Sequence, residues 1–300
     1  PYVIIRYIEA AAASQPKPDV LVFPENGPFE IYGNGQGNNQ ASNTQWPAPD
    51  PSRSLCDDPP DVPTGSEIQS IACAAKKASM YVQFVTLDMQ PCNTTGASVV
   101  TKLCPTRKFL LFNTNIVFDR SGRLIVKYYK HTLAGGSYQL TQPDPQLIKD
   151  LQANDHFVSD FGVKFAVVNC NDMNNRWLLQ KHRANGITDF LHSNNWDNDN
   201  SVETSASLFT GISHAYGVNW ITASTCDMAQ GAGIYSMVYI VAQTFSPSWS
   251  DLGGVYPPPD ISQGASIMRI HPRCYGYVAA PVKRTGTNAT SRGGRGCDSC

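Results

Sequence analysis

The chain alternates between stretches whose apolar residues recur at helical spacing and short runs that are apolar at every position. In residues 2–14, Ile4, Ile5, Ile8, Ala11 and Ala12 fall on one helical face, and Pro16 and Pro18 end the pattern. Val20 to Phe23 then reads as a short, fully apolar strand. Residues 26–63 are rich in Gly, Asn, Pro and Gln and read as a long surface loop, of a kind that often borders a functional site. Its Phe29, Tyr32 and Trp46 are the side chains expected to line a pocket. Thr64 and Glu67 have capping-box spacing before a helix over 67–79, and 80–87 follows as strand. The β-rich runs 109–119 and 123–130, joined by Arg120-Ser121-Gly122, give a hairpin. A strand over 161–169, a helix near 174–184 stopped by Gly186, and a strand over 187–192 come next. A helix near 203–215 and strands over 218–223, 234–243 and 266–271 complete the pattern. Helices alternating with strands and interrupted by hairpins predict an α/β fold with mixed sheets. One large domain over residues 1–275 is expected, with 276–300 as a linker or the start of a further C-terminal region.

Composition narrows the class. Of 300 residues, 41% are hydrophobic and 16% charged, which supplies a sizeable core and excludes wholesale disorder. A formal net charge of −1 carries no electrostatic footprint for nucleic acid. No run of apolar residues is long enough to span a bilayer, so no transmembrane segment is expected within this stretch. Nine cysteines accompany two glycosylation sequons, at Asn93 and Asn288. Together they favour a secreted or extracellular glycoprotein bearing disulfides and N-linked glycans, any membrane anchor lying outside this stretch. The odd count leaves at least one cysteine outside intrachain pairing. A start at Pro1, without Met, fits a processed chain or a fragment.

Familiar signatures for nucleotides and metals are missing. The Gly33, Gly35, Gly37 run lacks dinucleotide spacing and reads as loop, and Cys297-x-x-Cys300 has no second pair, so it reads as disulfide or incidental rather than zinc. No metal and no cofactor are expected. Three segments stand out because each delivers one reactive side chain at the end of an apolar strand: Val20-Leu-Val-Phe-Pro-Glu25, Ile125-Val-Lys-Tyr-Tyr-Lys130 and Phe165-Ala-Val-Val-Asn-Cys170. Carboxyl ends of strands are where α/β sheets gather ligand sites. A thiolate attacks a carbonyl carbon, and a nearby ammonium or helix N-terminus lowers its pKa from about 8.5. A carboxylate takes the thiol proton and returns it to a leaving amine. The Lys130 ammonium and the backbone N–H of Asn171, after the cysteine, are placed to hold the oxyanion.

The order Glu, Lys, Cys on such strand ends resembles the nitrilase superfamily, and more specifically its vanin (pantetheinase) and biotinidase branch. The stretches that carry the resemblance include Phe23-Pro-Glu25, Pro91-Cys92-Asn93, Phe112-Asn-Thr-Asn-Ile-Val-Phe-Asp119 and Gly122-Arg-Leu-Ile-Val-Lys-Tyr-Tyr-Lys130. Phe161-Gly162, Cys170-Asn-Asp172, Trp196 and Gly231-Ala-Gly-Ile-Tyr235 continue it. The resemblance implies an αββα sandwich and hydrolysis of a linear amide through a thioester, with Cys170 as nucleophile, Glu25 as general base and acid, and Lys130 as oxyanion stabiliser. It implies a small-molecule amide substrate: pantetheine, cleaved to pantothenate and cysteamine, or a biotinyl amide. It also implies disulfides Cys56–Cys73 and Cys92–Cys104; with Cys170 kept as a thiol, Cys226, Cys274, Cys297 and Cys300 remain for two further bridges. Asn169 and Asn171 flank the cysteine where the family favours apolar or aromatic residues, and Ser193 stands where it tends to have Pro. These departures motivate an alternative, a secreted binding or storage glycoprotein that keeps the fold without turnover.

Overall fold

The computed structural model describes residues 2–15, 17–25, 44–58, 66–92, 109–133, 140–194, 205–224, 230–235, 240–245 and 277–279. Two sheets stack face to face. The first has the strand order β11-β1-β2-β3-β4, from β1 (Val20–Val22), β2 (Tyr81–Pro91), β3 (Phe109–Phe118), β4 (Leu124–Tyr129) and β11 (Tyr277–Ala279). The second runs β10-β9-β8-β7-β6-β5, from β5 (His156–Val158), β6 (Lys164–Asn169), β7 (Asp189–Asn194), β8 (Asn219–Ser224), β9 (Gln230–Tyr235) and β10 (Ile240–Phe245). Both sheets mix parallel and antiparallel pairs, as the sequence predicts: β1 pairs parallel with β2, β6–β7–β8 are parallel, and β2–β3–β4 is an antiparallel meander. The helices are α1 (Tyr2–Ala13), α2 (Glu67–Ala78), α3 (Pro145–Asp150), α4 (Arg176–Ala184) and α5 (Ser205–Tyr216).

The period of two along each strand decides which layer a residue serves. On β1, Val20 and Val22 face the second sheet, while Leu21 and Phe23 face α1 and α2. On β3, Val117 faces inward, and Ile116 and Phe118 face outward. The outer layer is closed by Ile4, Ile8 and Ala11 of α1 and by Ile68, Ile71 and Ala75 of α2, all buried. On the other side Leu178 and Leu179 of α4 and Phe209 of α5 join the core that includes Phe190 and Trp220. The expected αββα sandwich is what forms.

Several boundaries differ from the sequence expectation. The cap of α2 is Ser66, two residues after Thr64, and its hydroxyl accepts from Gln69 N at 3.2 Å. The run expected as one strand over 161–169 is strand only from Lys164, as β6, because Gly162 at φ +81° lies in the turn that joins β5 to β6. The run at 234–243 likewise divides between antiparallel strands β9 and β10. Trp46 does not line a pocket: it is buried on the outer face of the first sheet, against Phe84 and Phe118. The stretch from 276, expected as a linker or the start of a further C-terminal region, supplies β11, whose Tyr-Val-Ala run pairs parallel with the equally apolar β1. Phe29, Tyr32 and the strand expected over 266–271 lie outside the described residues.

The β3–β4 turn shows why one glycine is needed. Gly122 sits at φ +74°, and a Cβ there would come within 2.7 Å of the Ala72 carbonyl oxygen on α2. Next to it, Cys56 and Cys73 form a disulfide that ties the 44–58 segment to α2, the pairing that the family resemblance implies. A second anchor for that segment is the buried Asp88 carboxylate on β2. It accepts from Trp46 N at 2.9 Å and from Tyr129 OH at 2.8 Å, with Lys127 Nζ 3.7 Å away. Among the described residues no helix is long and apolar enough to cross a membrane.

Candidate active site

β1 and β4 run in the same direction within the first sheet, so the residues that follow them emerge at the same edge. Phe23 N continues the ladder to Gln83 O, Pro24 lacks an N–H and stops it, and Glu25 turns inward. Lys130 is one residue past β4, held by its own N–H to Asn113 O at 2.9 Å. Lys130 Nζ meets Glu25 Oε1 at 2.9 Å, and both side chains are fully buried. Asn113 Nδ2 donates to the same carboxylate oxygen at 2.7 Å.

Cys170 is reached from the second sheet. It directly follows β6, opens a short 3-10 turn over Cys170–Asn174, and adopts φ +44°, a left-handed conformation that is costly for a side chain with a Cβ. Asp172, fully buried, holds this elbow. Its carboxylate accepts from Asn169 N at 3.1 Å, from Tyr128 OH at 2.7 Å and from Thr132 N at 2.6 Å. The elbow of the cysteine and the segment just after Lys130 are thereby fastened to one carboxylate. Burial raises the Asp172 pKa, against the Tyr128 hydrogen bond and the Lys130 charge, which lower it. Burial, with Asp172 beside it, keeps Tyr128 protonated and donating.

His192 on β7 lies against the cysteine but is not its base. Nε2 is 3.0 Å from the Cys170 carbonyl oxygen, an acceptor, so Nε2 carries the proton and Nδ1 accepts from Thr222 Oγ1 at 3.0 Å. Burial pulls the His192 pKa down to about 3, so the ring is neutral. Ser193 donates to Phe23 O at 2.7 Å and accepts from Gln83 Nε2 at 3.0 Å. Asn115 Nδ2 bonds Val168 O at 3.0 Å, and Asn169 Nδ2 bonds Asn113 Oδ1 at 2.7 Å. Polar inward positions of one sheet thus meet polar positions of the other, and these ties register β1, β3 and β4 against β6 and β7.

The structure brings Glu25 and Lys130 into direct contact and joins them through Asn113 to Asn169, the residue before Cys170. It corrects one expectation. Cys170 is not a thiol but is disulfide-bonded, as is Cys92, and both partners lie outside the described residues. Any nucleophilic use of Cys170 therefore begins with reduction of that bond. Cys104, Asn93 and Asn288 also lie outside the described residues; Asn171 is half-buried in the turn after Cys170. Asn113 and Asp172 lie within stretches that carry the resemblance but have no role attached to them there, and His192 and Gln83 join the site without a signal in the sequence that marks them out. Among the described residues no group of three or more His, Cys, Asp or Glu is arranged to hold a metal ion.

The buried histidines give a pH prediction. His182 on α4 is buried; although Asp155 Oδ2 is 3.6 Å away, burial prevails and lowers its pKa to about 4. The unfolded chain binds protons on His182 and His192 below about pH 6.5, whereas the folded chain does not until about pH 4 and about pH 3. Stability should therefore fall as pH drops from about 6.5, each histidine losing roughly 1.4 kcal/mol for every pH unit between its unfolded and folded pKa. Urea midpoints measured between pH 7 and 4 should decline steadily, and His182→Phe should flatten the slope; a flat wild-type profile would contradict it. The contribution of Asp155 is present across this range and is lost only as pH falls further, toward about 2. Burial raises its pKa, but hydrogen bonds from Lys181 and His156 bring it to about 2.

With this geometry established, comparison with known proteins gives the class first. Saccharomyces cerevisiae Nit3, a member of branch 10 of the nitrilase superfamily, matches with a TM-score of 0.58 at 17% identity, over 81% of this chain and 79% of that one. A mutant of a Nesterenkonia amidase from the same superfamily matches with a TM-score of 0.52 at 13% identity, over 82% and 81%. The fold is that of the nitrilase superfamily. No family model matches the chain.

Curated sequences refine this. Vanin-like protein 1 of Drosophila melanogaster is 29% identical over 241 residues, 78% of this chain and 39% of that protein. Biotinidase of Takifugu rubripes is 27% identical over 169 residues, 55% and 31%. Pantetheinase of Mus musculus is 27% identical over 232 residues, 72% and 41%. The chain resembles the vanin, pantetheinase and biotinidase branch, as its motifs indicate, and spans less than half the length of these relatives.

Proposed function

We propose that the chain carries a carbon–nitrogen hydrolase acting on linear amides through a thioester at Cys170. The observation that carries this is the buried Glu25–Lys130 contact, linked by Asn113 and Asn169 to the elbow that holds Cys170. A buried charge pair is costly to desolvate unless its geometry is good and it is well hydrogen-bonded, and this one lies at the strand ends where α/β sheets place ligands.

Before the first turnover a small-molecule thiol, as thiolate, attacks the Cys170 disulfide and a second thiol resolves the mixed disulfide, leaving Cys170 and its former partner cysteine reduced and the small thiol oxidised. Glu25 takes the Cys170 proton, and the thiolate sulfur bonds to the amide carbon while the carbonyl electron pair moves to oxygen. Lys130 Nζ–H and Asn171 N–H stabilise that oxyanion. Collapse breaks the C–N bond, and Glu25 gives its proton to the leaving amine. Water, deprotonated by Glu25, then cleaves the thioester to the acid and restores Cys170.

The finer reading is pantetheine as substrate, giving pantothenate and cysteamine, because pantetheinases and vanin-like proteins recur among the relatives. A biotinyl amide is the alternative, supported by the biotinidase match. Extracellular location with N-linked glycans is supported by the sequons and by the disulfides. The Cys170 disulfide favours a second reading, a binding glycoprotein with the same fold and no turnover.

The test is cysteamine release from pantetheine, and biotin release from biocytin, before and after mild thiol treatment, with iodoacetamide labelling mapped by mass spectrometry. Turnover that appears on reduction and disappears on alkylation of Cys170 is the expected result. A reduced, labelled Cys170 without turnover on either amide would favour the binding reading.

A further inference from the structure

We infer that Asn113 and Asn169 are positioning residues that fix how the Glu25 carboxylate is presented to Lys130 and to the Cys170 elbow, a role that rests on the hydrolase reading above. Glu25 Oε1 receives Lys130 Nζ at 2.9 Å and Asn113 Nδ2 at 2.7 Å, and Asn113 Oδ1 receives Asn169 Nδ2 at 2.7 Å. Glu25, Asn113 and Asn169 are all buried, so water does not substitute for any of these bonds.

The chain of donors has only one workable direction. An ionised carboxylate accepts and cannot donate, so Asn113 must turn its NH2 toward Glu25. That leaves its carbonyl oxygen facing Asn169, which must in turn offer NH2. A flipped Asn113 would set its oxygen against the Glu25 oxygen and its NH2 against the Asn169 NH2. Asn169 therefore fixes which end of Asn113 the carboxylate meets. The same Asn113 accepts the Lys130 N–H on its backbone oxygen, so one residue orients both members of the ion pair. The relay starts one residue before Cys170 and ends on the group assigned to take its proton.

The relay thus fixes which face of the base is presented to the cysteine and to Lys130. On this view Asn169, the most evident departure from the family before the cysteine, belongs to the catalytic device rather than marking its decay.

The test uses the shape-conserving variants Asn113→Leu and Asn169→Leu and their double, assayed on the reduced protein with the amide that it hydrolyses. The acid limb of kcat/KM against pH reports the base in the free enzyme. Asn113→Leu removes a donor to the carboxylate and should move that limb upward, Asn169→Leu by less, and the double no further than Asn113→Leu, because Asn169 acts only through Asn113. KM should change little. Unmoved limbs in both single variants, or shifts that add in the double, would overturn the inference while the hydrolase reading stands. If Asn113→Leu does not fold, Asn169→Leu decides alone, since its limb either moves upward or stays. A wild type with no turnover on any amide after reduction would overturn the hydrolase reading, and this inference with it.

Discussion

Cys170→Ala is expected to reduce amide turnover by at least about 10⁴-fold, the scale seen when a covalent nucleophile is removed. The comparison is with wild type under the same reducing conditions, so that the Cys170 disulfide is absent from both and its loss does not enter the difference. The fold should survive. Cys170 is one small side chain at a turn whose geometry is held by the Asp172 carboxylate and by the His192 hydrogen bond to the backbone, neither of which needs the sulfur. Near-UV circular dichroism should therefore match reduced wild type while cysteamine release is lost. Turnover retained in this variant would remove the thioester mechanism altogether.

Lys130→Met should harm stability and activity together, and the two losses separate cleanly. Lys130 and Glu25 are both fully buried, so removing the ammonium leaves a buried carboxylate without its counter-charge, at a cost of about 3–5 kcal/mol. Activity should fall by at least about 10²-fold because the oxyanion loses a charged donor. Glu25→Gln combined with Lys130→Met removes both charges and should recover most of the lost urea stability, yet regain no turnover. If the double variant is as unstable as Lys130→Met, the ion pair is not what the destabilisation reports. If Lys130→Met retains turnover, the role given to its ammonium is wrong.

How much of this is legible in the sequence follows from the range over which each signal acts. Strand and helix patterns are local, and β1, the β3–β4 hairpin, α1 and α2 sit within a residue or two of where the periodicity puts them, apart from β2, which runs on to Pro91. The strand ends that carry Glu25, Lys130 and Cys170 are legible for the same reason. Short strands such as β5, three residues long, give no period to read, and the turn at Gly162 hides inside a longer run. Trp46 escapes a local reading because its position is set by Asp88 on a distant strand, through the Trp46 N–H bond. Asn113, Asn169 and Ser193 escape for a related reason. Each looks like an ordinary strand polar residue or a family departure until the opposing sheet supplies its partner. The Cys170 disulfide has no local signature either, since cysteine spacing does not encode pairing.

The placement of β11 has a consequence for how the protein is made. Val20 to Val22, the strand that leads into Glu25, is flanked on one side by β2 and on the other by Tyr277 to Ala279. During synthesis the β1 edge therefore stays open until residues 277–279 have left the ribosome, and loop-closure entropy makes so distant a pairing one of the later events of folding. An exposed, wholly apolar strand edge is a template for pairing with other chains. Nascent molecules that stall before residue 277 should thus be the ones that need chaperones, and the finished edge beside Glu25 waits on a segment made more than 250 residues after the strand it covers.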